Sequence, residues 1–168
     1  MKRKELSCKI NNQAQNIKRE EQWSALVDNT RIGGHIIMEN QKKVLVISWD
    51  EGFQGSMASI EQVASSLNLV IVNRVASYEQ AMESIQRVMP DLVVCETSLG
   101  QEMDGIELMR VIYKIYPIPV FFILSEYQSN LVERTKEFAT TGMMLKPLNL
   151  VQLKLNLKLA FSKIGLFT

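Results

Sequence analysis

The sequence predicts an α/β fold: a doubly wound, five-stranded parallel sheet with helices on both faces. Three observations lead there. From Lys42 onward, short apolar runs of strand length alternate with longer stretches whose apolar residues recur at helical spacing. The short runs are almost uniformly apolar, as strands covered on both faces require. Breakers fall between the segments: Pro90, Pro117 and Gly142. Right-handed crossovers between parallel strands then give helices on both sides of one sheet.

Each element follows from its own residues. The run "KVLVIS" is the first strand, and "SMASIEQVASSL" is a helix with Met57, Ile60, Val63, Ala64 and Leu67 at helical spacing. "LVIV" is the second strand, and "SYEQAMESIQRVM" the second helix, ended by Pro90. "DLVVCE" is the third strand. "DGIELMRVIYKIY" is the third helix, entered by Asp104-Gly105 as turn and cap and stopped before Pro117. "PVFFILS" is the fourth strand, and "NLVERTKEFATT" a fourth helix closed by Gly142. "MMLK" is the fifth strand. "NLVQLKLNLKLAFSKI" is the last helix, with Asn149 as its N-cap. The sequence has no internal repeat.

This regular part spans residues 42–165. Residues 1–41 read as an extension, polar and charged at first, with one short helix in "EEQWSALVDNTR" carrying Trp23, Leu26 and Val27. "IGG" breaks that helix and "HIIM" is a short apolar patch. A docking or dimerisation arm is the alternative reading of this extension.

The chain has 168 residues, 46% hydrophobic and 22% charged, which allows one core domain plus an extension. A formal net charge of +1 gives no electrostatic case for nucleic acid or an anionic membrane. Cys8 and Cys95 lie far apart, and Cys95 sits in an apolar run, which points to reduced thiols. No apolar stretch reaches the roughly 18–20 residues that span a bilayer. The basic start, "MKRKELSCKINNQ", lacks the apolar core of a secretory signal. A cytoplasmic location is the resulting expectation.

In a doubly wound sheet, sites form at the carboxyl ends of the strands. The residues to examine are therefore Ser48 to Glu51, Glu96 to Ser98, Ser125 to Tyr127, and Lys146-Pro147. Taken singly, Glu96 reads as a solvated loop acid, Ser125 as a helix cap, and Lys146-Pro147 as a strand-to-helix turn. His35 is the single histidine, so a His-based triad or metal site lacks material. Gly52 and Gly55 make a weak phosphate-loop signal without the accompanying lysine.

Taken together, "PDLVVCE…L…MDGIEL", "IPVFFILSEY" and "GMMLKPLNLVQL", in that order and spacing, resemble the receiver domain of bacterial two-component response regulators. The resemblance runs from about Lys42 to Lys163 and implies a flavodoxin-like arrangement. In that family the third strand ends in an aspartate that accepts a phosphoryl group. An acidic pair after the first strand helps hold Mg²⁺, a hard cation that wants oxygen ligands. A Ser or Thr after the fourth strand and a Lys after the fifth contact the phosphoryl oxygens. By this resemblance Ser125 is the hydroxyl and Lys146, followed by Pro147, the lysine. Tyr127 stands for an aromatic ring that changes rotamer on activation.

Two departures stand out. Glu96 occupies the phosphoacceptor position. Its longer side chain would place a carboxylate where phosphoryl oxygens sit, within reach of Lys146 or Ser125. As an imitation of a phosphoryl group it supplies one negative charge against about 1.5 to 2. The second departure is the acidic pair. Direct alignment puts Ser48 and Trp49 there, removing two of the three Mg²⁺ carboxylates and filling the pocket with an indole; packing of Trp49 over the first helix is the alternative. A register shifted by two puts Asp50 and Glu51 there, and Mg²⁺ binding survives. The spacing to Glu96 fits the shifted register better and the strand pattern fits the direct one better; the direct one is favoured.

These departures imply a pseudo-receiver: a phosphorylation-independent protein–protein interaction module without cofactor or enzymatic activity. The alternative is a Mg²⁺-binding, phosphate-responsive receiver. An enzyme or flavin carrier on the same sheet is a third class. The partner is expected to be a protein, or a second copy, at the face of the fourth helix, fifth strand and fifth helix. That face would carry Tyr127, Met143 and the last helix. Val151, Leu153, Leu155, Leu157, Leu159 and Phe161 are too many for one buried side of that helix.

Overall fold

The computed structural model describes residues 31–32, 35–36, 41–49, 54–98 and 104–163. Two compact units divide the chain, Met1–Met38 and Glu39–Thr168. In the first, Arg31–Ile32 pairs antiparallel with His35–Ile36. The helix expected in "EEQWSALVDNTR" lies, but for Arg31, outside the described residues.

The second unit holds β1 (Lys42–Ile47), α1 (Gln54–Ser66), β2 (Leu69–Val75), α2 (Tyr78–Val88) and β3 (Leu92–Glu96). It continues with α3 (Gly105–Ile115), β4 (Val120–Leu124), α4 (Leu131–Thr135), β5 (Thr140–Leu145) and α5 (Leu150–Lys163). The five strands are parallel in the order β2-β1-β3-β4-β5. Strand order reverses beside β1, so the open crevice lies at the carboxyl ends of β1 and β3. This is the doubly wound α/β fold that the apolar runs predict.

The central strands explain themselves. Every residue of β3 and of β4 is buried, so neither tolerates the polar half of an alternating pattern. On one face of the sheet, Val44, Val46, Leu92, Val94, Phe121, Ile123 and Met144 pack against Met57, Ile60, Val63 and Ala64 of α1 and Leu153, Leu157 and Phe161 of α5. Side chains alternate along a strand. The same parity, carried to the last residue of β3 and one step past the other strands, puts Ser48, Glu96, Ser125 and Lys146 on that face.

The helix ends are capped as their residues dictate. Ser77 accepts a hydrogen bond from the Gln80 amide at the start of α2. Asp104 Oδ1 accepts from the amides of Ile106 and Glu107 and opens α3. Asn149 Oδ1 accepts from the amides of Val151 and Gln152, the N-cap expected for α5.

The fourth helix departs from expectation. It stops at Thr135, and Gly142 is not its cap but lies inside β5. Just past its end, Phe138 packs onto Phe122 and Tyr113, with ring centroids 5.9 and 5.6 Å apart. Thr140 Oγ1 then donates to the Thr135 carbonyl at 3.0 Å. Gly142 sits opposite Phe121 in the ladder, where a Cβ would come 2.8 Å from the ring. The glycine there serves close packing, a role its neighbours in the sequence do not disclose.

Gly105 is more tightly constrained. A Cβ on it would lie 1.9 Å from the Glu96 carbonyl oxygen and 3.0 Å from Cys95 Sγ. The first turn of α3 therefore rests directly on the end of β3, and the Gly105 amide donates to the Thr97 carbonyl at 2.9 Å. Backbone cannot yield as a side-chain tip can, so Gly105→Ala should cost about 3 kcal/mol or more, the upper range for overpacking. Gly55→Ala, with nothing within 4 Å of the added carbon, is the control and should change stability by less than about 1 kcal/mol. Urea unfolding of the two variants reads the difference.

Candidate functional site

The strand ends converge as the parity requires. Along β1 and β3, Ile47 faces Cys95, and the next step on both strands is Ser48 and Glu96. Glu96 also pairs with Ile123 in the ladder to β4, and the Lys146 amide donates to the Leu124 carbonyl at 2.8 Å. Backbone hydrogen bonding thus sets the site before any side chain contributes.

Glu96 is the last residue of β3 and only 1% exposed, so it is not a solvated loop acid. Lys146 Nζ donates to its Oε1, closing an ion pair whose lysine side chain is 20% exposed. The longer glutamate therefore reaches the lysine, one of the two contacts expected of it. Ser125 does not share in this. It lies just past β4 at the surface, and the carboxylate takes Lys146 instead. Two buried polar atoms at the site, Glu96 Oε2 and Ser48 Oγ, have no hydrogen-bond partner among the described residues.

The remaining expectations fall as follows. β1 stops at Ile47, so Ser48 and Trp49 directly follow the strand. Ser48 is buried, and Trp49 is 38% exposed. Asp50 and Glu51 lie outside the described residues. Tyr127 is 77% exposed in the β4–α4 loop. Met143 is half-buried on β5, while Met144 joins the core. Pro147 lies beside Lys146 and Leu148 along an open groove of about 410 Å³, whose other wall is Gly55, Ser56 and Ser59 of α1.

A second group of charges adjoins the site and is not apparent from the sequence. Arg134 on α4 reaches Asp104 Oδ2, the second oxygen of the α3 cap, and Glu107 Oε1 at 3.5 Å. Arg110 pairs with Glu107 at 2.5 Å and lies 3.5 Å from Glu137, and its guanidinium donates to the Arg134 carbonyl at 3.3 Å. Both arginines are held above their ordinary pKa, Arg134 chiefly by its hydrogen bond to Asp104 and Arg110 by that to Glu107. The short α4 is thereby tied to the cap of the helix that rests on Glu96. Asp104 and Arg134 stand 30 residues apart, and no local pattern links them.

Comparison with known proteins places these observations in a family. A profile of the response regulator receiver domain matches residues 50–158. The chain belongs to the response regulator receiver family. A protein-glutamate methylesterase/protein-glutamine glutaminase of Pyrococcus horikoshii is 26% identical over 113 residues, 66% of this chain but 30% of that protein. The chain thus spans under a third of that relative's length. Among solved structures, a two-component response regulator from Clostridium difficile superposes with a TM-score of 0.64 at 20% identity, covering 74% of this chain and 99% of that one. The signal receiver domain of a modulated diguanylate cyclase from Desulfovibrio desulfuricans G20 gives 0.62 at 21% identity, covering 76% and 99%. At these identities the structural likeness establishes the receiver fold.

Two predictions follow from the geometry of this receiver. Removing one partner of a buried ion pair strands the other. Lys146→Met should therefore lower unfolding free energy by about 3–5 kcal/mol, and Glu96→Leu/Lys146→Met should recover most of that loss in urea titrations. The Cys95 thiol is fully buried, and its pKa is raised by burial first and by the charges of Glu96 and Asp104 next. It stays protonated well past the pH at which a free thiol ionises. Iodoacetamide at pH 8.5 should alkylate Cys95 on the order of a hundredfold more slowly in native protein than in urea, read by peptide mass mapping.

Proposed function

We propose that this receiver is a pseudo-receiver, a signalling module that works by binding another protein and not by accepting a phosphoryl group. The observation that carries the reading is the Lys146–Glu96 ion pair. The cation that would meet incoming phosphoryl oxygens is already engaged by a carboxylate of the chain itself. A phosphoryl donor would have to break that pair, and a buried carboxylate held by an ammonium is a weakened nucleophile.

The donor set supports the same reading. Mg²⁺ needs several oxygen ligands, carboxylates above all. Ser48 offers a hydroxyl and Trp49 nothing at the two positions after β1, and Glu96 is neutralised by Lys146. Among the described residues no three His, Cys, Asp or Glu side chains gather in one place. In the direct register these residues would not suit Mg²⁺, Asp50 and Glu51 lying outside the described residues, and no phosphoryl-transfer step is assigned to them. Among the described residues, no helix is long and apolar enough to cross a membrane.

The surface that would meet the partner is the α4–β5–α5 side. Tyr127, Val132 and Leu145 are exposed there, and so are Val151, Leu155 and Leu159 of α5. Large apolar side chains grouped this way mark an interaction surface more often than isolated ones do.

Intact mass after incubation with Mg²⁺ and a small acyl phosphate tests the reading, on the wild type and on Glu96→Asp. The expected result is no phosphoryl gain in either protein. A gain confined to Glu96→Asp would mean that the pocket still works and glutamate alone silences it. A gain in the wild type would overturn the pseudo-receiver assignment in favour of a Mg²⁺-dependent, phosphate-responsive receiver.

A further inference from the structure

The outer side of α5 carries a specific chemical pattern. Its inner side buries Leu153, Leu157, Ala160 and Phe161. Its outer side exposes Val151, Leu155 and Leu159, at 68%, 56% and 57%, in one i, i+4, i+8 row. Lys154 and Lys158 form the adjoining row, each one residue before a leucine of the stripe. The helix contains three lysines and no acid. Lys163 turns away and donates to the Thr141 carbonyl at 3.3 Å. What remains outside is a two-turn apolar stripe edged by two ammonium groups.

From this pattern we infer that the α5 face binds an acidic amphipathic helix of another protein. The inference rests on the interaction-module reading above and specifies its partner. The stripe is about 12 Å long at 1.5 Å per residue, the length of two to three turns of a partner helix. Apolar residues of that helix would cover Val151, Leu155 and Leu159, and its carboxylates would meet Lys154 and Lys158. Such charges at the rim steer association and select the partner.

A second copy fits less well. Contact between two α5 helices would bring one lysine row against another, with no acid on either helix. The acids on the α4 side are largely engaged within the chain: Glu133 by Lys136 and Glu137 by Arg110. A membrane surface also fits less well. Interfacial helices carry aromatic anchors on their apolar side and a strong positive field. This stripe has no aromatic residue, and the chain's net charge is +1.

The test uses the full chain and two fluorescein-labelled helical peptides. Both present leucine at i, i+4 and i+8; one borders the row with glutamates and the other with lysines. Fluorescence anisotropy is read at low and at high salt. The acidic peptide should bind, the basic one should not, and Lys154→Glu/Lys158→Glu should weaken binding about tenfold or more, with the salt sensitivity lost. Leu155→Ser/Leu159→Ser should abolish binding; both variants lie on the surface, and circular dichroism checks their fold. Equal binding of both peptides, lost in the leucine variant, would refute the acidic partner while leaving the docking face intact. Binding of neither, with sedimentation showing a dimer that the leucine variant breaks, would assign the face to a second copy. Flotation with phosphatidylglycerol vesicles, lost in the lysine variant, would assign it to a lipid surface. No binding of any kind, and no change in either variant, would remove the α5 face as a docking site and leave the interaction-module reading to the Tyr127, Val132 and Leu145 surface.

Discussion

A carboxylate at the buried end of an apolar sheet must have a cation within reach. Glu96 terminates a strand whose five residues are all interior, and water cannot compensate its charge there. Lys146 provides the compensation from two strands away, at the end of β5. That requirement binds together parts of the chain 50 residues apart. It needs β4 to carry β5 into register, with the Leu124 carbonyl holding the Lys146 amide. Desolvating two ions costs several kcal/mol each, so the pair makes a poor source of stability, while either ion alone would cost more.

The same strand end supports the opposite face of the sheet. Gly105 lets α3 begin on the Glu96 carbonyl, and Asp104 caps that helix with one oxygen while the other receives Arg134. One carboxylate thus serves a helix N-terminus and a tie to α4. The tie is partly exposed, and such pairs contribute little net stability, about 0–1 kcal/mol each. Its consequence is positional. α4 has one turn and little burial of its own beyond Leu131 and Thr135, so its placement depends on Arg134 and Arg110. Tyr127 and Val132 stand exposed beside this short, charge-held helix.

α5 divides its apolar residues between two tasks. Leu153, Leu157, Ala160 and Phe161 complete the core layer with α1, each large side chain contributing about 1.5–3 kcal/mol by burial. Val151, Leu155 and Leu159 contribute nothing of that kind, since they face solvent. Spreading apolar residues around the helix is costly for an isolated chain and useful for one that meets a partner.

Much of this was legible in the residues themselves. Uniform apolar runs could only be strands covered on both faces, and their alternation with helical periodicity led to the parallel sheet. Asn149 and Asp104 announced their helix starts because capping is local chemistry, complete within four residues. The order of Glu96, Ser125 and Lys146 along the chain pointed to the strand ends. Other features depended on distances that no local window contains. Gly142 looks like a helix stop in sequence, and only the Phe121 ring across the ladder makes it a strand residue. Asp104 and Arg134 are unrelated until two helices meet. Glu96 had two possible partners, and the register of β4 and β5 chose the lysine over the serine. The sequence by itself determined the kind and order of the elements and the residues at the crevice, because periodicity and capping are short-range. Which of those residues touch was decided by the tertiary structure alone, because contact between strand ends depends on register across the whole sheet.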